Sequence, residues 1–284
     1  MFKTVIIFLL LTIITIPSAI AEDKSPALWQ VSDDDTKVYI TGSIHMIKEN
    51  TTWNASVFDD ILSNSNELIL EYHDPNSQQI FDDIFAHKGR YSQGYSLRDF
   101  ISSETYSIVE KKLFELNGIK KRTILTKPWN FIIHYSMAKA REQGRSSDNA
   151  LEAYFIQAAL RKGLRISGIE TIEESFSFLM EASSNFPDQL IMASINEVDK
   201  DYDNLWASGD VEGIYNKMII SMRSYPDFYS IILTARNKVW ATRIKEIMTD
   251  PGEKLLVVGV GHLVGEQSLI ELLRNEGVVV TRVQ

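Results

Sequence analysis

The chain has 284 residues, 44% of them hydrophobic, with 29 Lys and Arg against 38 Asp and Glu and no cysteine. That length and apolar content suit one large domain that buries its core without disulfide staples. The formal net charge of -9 argues against the basic face of a nucleic-acid binder, and the longest cationic run, Lys120-Lys121-Arg122, reads as a solvated helix end.

Residues 1–21 differ in kind from the rest. Lys3 gives a positive start, Val5 to Ile16 is apolar apart from Thr12 and Thr15, Pro17 breaks the run, and Ala19-Ile20-Ala21 offers a small-x-small cleavage site. The apolar run is shorter than the ~20 residues that span a bilayer. The segment is read as a signal peptide cleaved near Ala21, leaving a periplasmic or secreted chain with no membrane span. Leu28–Ser32 and Lys37–Thr41, joined by Asp33-Asp34-Asp35, then form a strand–turn–strand hairpin. The second strand runs out through Gly42-Ser43-Ile44-His45. Apolar residues at Val57, Phe58, Ile61 and Leu62 follow a helical period over 54–64, with Asn54 as N-cap. Leu68-Ile69-Leu70-Glu71 is a short apolar strand ending in a carboxylate. Strand, helix, strand opens a parallel sheet with a right-handed crossover.

From Ser77 to Leu160 the pattern is mostly amphipathic helix, punctuated by Pro128 and Gly144, and Ser147–Leu160 is a helix closed by Gly163. Leu164–Glu170 reads as a third parallel strand, again ending in glutamate. A second helical block runs from Glu173 to about Met248. Lys254–Val258 is a fully buried type of strand, followed by Gly259-Val260-Gly261-His262. A helix over Ser268–Arg274 and a strand over Val278–Val283 end the chain. The fold class is α/β or α+β: a mixed, largely parallel central sheet, with a helical insertion at about 77–250 in a single domain.

An apolar strand therefore runs into Gly-x-x-His twice, at Gly42–His45 and Gly259–His262. Glycine permits positive φ and close backbone approach. Each histidine falls past the C-terminal end of its strand, where open parallel sheets bind ligands. Glu71 and Glu170 end two further strands. Two imidazoles and one or two carboxylates are the donors of Zn, Mn, Co and Fe sites. They also suit general acid–base work without metal. His73 is close enough in sequence to join, while His87 and His134 read as structural or exposed. Arg236, on a helix with Asn237 and Trp240, suits a carboxylate or a developing oxyanion.

These residues resemble the TraB/PrgY/GumN family, which includes the Tiki metalloproteases. The carrying blocks are Leu28-Trp29-Gln30-Val31, Tyr39-Ile40-Thr41-Gly42-Ser43-Ile44-His45, Glu67–Glu71 and Gly168-Ile169-Glu170-Thr171. Leu205–Asp210, Arg236-Asn237-Lys238-Val239-Trp240 and Leu256–Gly265 follow in family order. Ser43 stands where the family often has threonine. The resemblance implies a core like the erythromycin-esterase-like and haem-binding ChaN-like proteins. It also implies a metal site of His45, Glu71 and His262, with Arg236 and Asn237 nearby.

The expectation is an exported hydrolase, metallopeptidase-like, acting on a peptide or small-molecule substrate. A divalent cation (Mn, Co or Zn) sits on His45, Glu71 and His262. Glu71 or Glu170 handles the proton, and Arg236 and Asn237 steady the oxyanion. The rivals are a non-catalytic peptide- or haem-binding protein of the same fold and a metal-free esterase.

Overall fold

The computed structural model describes residues 24–116, 124–198 and 200–284. The expected signal peptide and the cationic run at 120–122 lie outside the described residues. Leu28–Ser32 (β1) and Thr36–Ser43 (β2) form the antiparallel hairpin, with Trp29 opposite Ile40 and Val31 opposite Val38. Asp33 fixes its turn: Oδ1 accepts from the backbone N–H groups of Asp35 (3.2 Å) and Thr36 (2.9 Å), the local bond that suits aspartate to turns.

The remaining strands are Ile47–Lys48 (β3), Glu67–Leu70 (β4), Arg145–Ser146 (β5), Arg165–Gly168 (β6), Gly252–Gly259 (β7) and Val280–Arg282 (β8). Six make one sheet in the order β6-β4-β7-β2-β1-β8, and β3 pairs with β5 in a short ribbon. The pairs β6–β4, β4–β7 and β7–β2 are parallel, while β2–β1 and β1–β8 are antiparallel. β2 and β4 run parallel but are not neighbours: β7, from the far end of the chain, inserts between them. The reason is apolar content. On β7, Leu255 and Val257 pack into one core cluster, while Leu256 and Val258 pack into the other, on the opposite face. A strand with two apolar faces is stable only where both are covered.

The helix expected from Asn54 spans Ser56–Asn64 with Ala55, not Asn54, at its N-cap; Asn54 Oδ1 accepts from the Ser56 N–H at 2.8 Å in the turn before it. Pro128 opens the helix Pro128–Glu142, where a missing N–H costs nothing. Gly163 ends Leu151–Lys162 with φ of 68°. Thr171 and Glu174 form a capping box at the head of Ile172–Asn185. The interval 77–250 is mostly helical yet contributes β6, one edge of the sheet. Among the described residues no helix is long and apolar enough to cross a membrane.

Candidate active site

Register brings three strand ends together. Ser43 on β2 lies opposite Gly259 on β7, and Leu70 on β4 opposite Val257. The chain beyond those ends carries His45, His262 and Glu71. Neither glycine of Gly42 and Gly259 takes positive φ; close approach is what they supply. A Cβ on Gly42 would meet the Val260 Cα at 2.9 Å, and one on Gly259 would stand 3.0 Å from Glu71 Oε1. Removing that Cβ lets the Gly259 N–H donate to Glu71 Oε1 at 2.6 Å.

Behind Glu71 stands Arg236. Its Nη2 donates to Glu71 Oε2 (3.0 Å) and Glu170 Oε1 (2.6 Å), and its Nε to Glu170 Oε2 (3.3 Å). Trp240 completes the layer: its indole N–H donates to Glu170 Oε2 at 2.9 Å, and the guanidinium lies 4.7 Å from its ring centre. A six-residue π-turn, Ser230–Ala235, leads directly into Arg236; such turns recur at functional sites.

His262 is fixed in one tautomer by its neighbours. Asn237 Nδ2 donates to the Gln267 carbonyl (2.8 Å), so its Oδ1 faces His262 Nδ1 at 2.6 Å and must accept. Arginine only donates, so His262 Nε2 accepts from Arg236 Nη1 at 3.2 Å. Burial, then the Arg236 charge, depress this imidazole to about 3, and it is neutral at pH 7. Glu71 goes the other way. Burial pushes it up, but Arg236, His262 and His45 outweigh that and hold it at about 2. Glu170 is raised, chiefly by burial.

His45 stands apart, on the wall of the cleft. Its Nδ1 donates to Glu152 Oε1 at 2.9 Å, and Ser43 Oγ donates to the same oxygen at 2.6 Å. The hydrogen bond to Glu152 raises His45 to about 9. Burial works against that elevation, and the ring is 67% exposed, to a cleft of about 1570 Å³. His45, Glu71, Tyr72 and Glu152 line that cleft, whereas Arg236, His262, Glu170 and Asn237 lie behind its surface.

Residues 27–282 match the model of the TraB/PrgY/gumN family. The chain belongs to that family. No curated protein and no solved structure matches it.

Within this TraB/PrgY/gumN chain, the Gly-x-x-His blocks, the strand-end glutamates and the Arg-Asn-x-x-Trp helix meet at one end of the sheet. Glu71, Glu170, Arg236 and His262 form a contiguous cluster. His45 faces the cleft beside it with Glu152, which sequence reasoning missed. Glu152 sits in the first turn of its helix, where glutamate ordinarily serves the helix dipole, so no signal marked it. His73 lines a separate 400 Å³ cavity with Asp74 and Arg243. His134 lines the large cleft.

A divalent ion needs donors converging with bonds near ~2.1 Å. One feature suits it: both imidazoles are held at Nδ1 by a side-chain oxygen, the tether of ligating histidines. The placement does not fit. His262 Nε2 is engaged by Arg236 and lies 4.0 Å from Glu71 Oε1, both of whose oxygens are taken. Among the described residues no three His, Asp or Glu side chains stand together as a ligand group. The guanidinium holds the position a cation would take.

Proposed function

We propose that the chain is an exported hydrolase that cleaves the carbonyl–nitrogen or carbonyl–oxygen bond of a peptide or small ester between Glu71 and His45. One observation carries the reading: a guanidinium, a carboxylate and a neutral imidazole are buried behind Glu71, a carboxylate that lines the cleft. Such a cluster is a poor way to stabilise a fold, because apolar side chains of similar volume often do better. Perturbed ionisable groups collect instead at functional sites.

Glu71 and His45 are driven apart, to about 2 and about 9, and groups so separated divide the roles of base and acid. Glu71 accepts a proton as water attacks the carbonyl. His45 gives its proton to the leaving nitrogen or oxygen as that bond breaks, and transfer from Glu71 back to His45 resets the pair. Arg236, His262 and Asn237 act through Glu71, as positioning residues.

The test is cleavage of peptide and ester substrates by the chain from Glu22 onward. Glu71→Gln and His45→Gln should each lower kcat/KM by ~10²-fold or more, with activity surviving a chelator. No cleavage by the folded protein, or full activity in Glu71→Gln, overturns the proposal. The metal-dependent form is the second reading, favoured by the two Nδ1 tethers. It requires uptake of roughly one Mn, Co or Zn per molecule and loss of activity on chelation. Export is tested by N-terminal sequencing of the secreted or periplasmic protein, which should begin at Glu22.

A further inference from the structure

The large cleft continues well beyond Glu71 and His45. One wall is a stripe of the helix Pro128–Glu142: Asn130, Ile133, His134, Met137 and Arg141. A ladder of rings lines the way, each 5.8–5.9 Å from the next: Tyr72, Phe81, Phe176, Phe85 and His134. Those steps leave room for an extended segment of on the order of four to six residues, at ~3.3 Å each.

At the far end two groups are unspent. Arg90 lines the cleft with no acidic partner among the described residues. Arg145, by contrast, is taken up by Asp201 (3.3 Å) and Asp203 (3.5 Å). Beside Arg90, Asn130 is 3% exposed, and its Nδ2 donates to the Gly89 carbonyl at 3.0 Å while its Oδ1 accepts nothing among the described residues. Asn130 packs directly on Gly89, the residue before Arg90. A Cβ on Gly89 would meet Asn130 Nδ2 at 2.4 Å, so only glycine permits this approach. A buried acceptor without a donor is destabilising, which makes it a place where a ligand N–H gains.

A guanidinium and a buried amide oxygen, side by side against aromatic rings, ask for one chemistry: an anion, an N–H donor and an apolar side chain on one unit. The terminal residue of a peptide carries all three. A fatty acid carries the anion and the apolar part but has no N–H for Asn130. We infer that this end of the cleft binds the C-terminal carboxylate of short apolar peptides, with Arg90 on the carboxylate, Asn130 on the last amide N–H, and Phe85 and Phe176 against the side chains. The inference rests on the hydrolase reading only for where such a peptide is cut.

Binding is measured apart from cutting. The chain from Glu22 onward carrying Glu71→Gln is titrated calorimetrically with a Leu/Phe-rich hexapeptide, its C-terminal amide, and decanoate. The free acid should bind at least ~10-fold more tightly than the amide, because only the acid offers Arg90 a charge-assisted bond. Arg90→Gln, at an exposed position that leaves folding intact, should abolish that preference. Equal binding of acid and amide overturns the inference, as does decanoate binding as tightly as the peptide. A loss in Arg141→Gln with none in Arg90→Gln also overturns it, because the carboxylate then sits elsewhere. If the wild type cuts no peptide while the preference persists, the hydrolase reading fails and the carboxylate pocket stands.

Discussion

Replacing Arg236 by methionine keeps the length of the side chain and removes its charge. In the native protein Glu71 is held at about 2 rather than 4.5, with Arg236 the largest stabilising influence. At 1.36 kcal/mol per pH unit, that depression corresponds to roughly 3 kcal/mol of folding stability above pH 4.5. Breaking a buried pair by removing one partner costs a similar 3–5 kcal/mol. Arg236→Met should therefore lose about 3 kcal/mol at pH 7 in urea unfolding, with an unchanged slope against denaturant. A depressed carboxyl stabilises above its unfolded pKa and loses that contribution as pH falls through its folded pKa. The difference between wild type and variant should accordingly shrink as pH drops from about 4.5 toward 2. Equal stability at pH 7 would refute the electrostatic account. A difference that persists undiminished at pH 2–3 would assign the loss to packing against Trp240.

Glu152→Gln should bring His45 down from about 9 toward 6.5 in an NMR titration of its ring protons, because the charged partner that raises it is gone; the alkaline limb of hydrolysis should fall with it. An unmoved His45 would dissociate the pair. Asn237→Asp places a full charge on His262 Nδ1, now 2.6 Å from Oδ1, and should raise that imidazole above its present value of about 3, read by the same titration. Gly42→Ala forces a methyl to 2.9 Å from the Val260 backbone; overpacking of this kind costs about 1–3 kcal/mol, and a thermal midpoint equal to wild type would contradict the close-approach role.

The six strands of the main sheet were legible because their chemistry is local, whereas the two-residue strands β3 and β5 were not expected. The Asp33 turn, the apolar run of β7 and the strand-ending glutamates each appear within ten residues of sequence. The order of the strands was not, since β7 enters between β2 and β4 from nearly two hundred residues away. Glu71, Glu170, Arg236 and His262 were singled out because strand ends and a helix motif point to one place. Their chemistry was harder to foresee. Whether a histidine next to a glutamate binds a cation or already has one depends on which side chain stands between them. Arg236, on a helix far along the chain from both, announces nothing of that in sequence.

The position of β7 explains why the motif is written twice. β2 and β7 are adjacent parallel strands in register, Gly42 against Val258 and Ser43 against Gly259. Two Gly-x-x-His blocks on such neighbours emerge from the same edge of the sheet, and β4 on the other side of β7 adds Glu71. The two histidines nevertheless meet opposite surroundings. His262 turns inward, beneath Trp240 at 4.3 Å between ring centres, and is stripped of its proton by burial and Arg236. His45 turns into the cleft and gains one from Glu152. One motif thus gives a hydrogen-bond acceptor for Arg236 and a protonated imidazole that faces the cleft. The difference lies in what the helices bring to each, Arg236 and Asn237 from one and Glu152 from another.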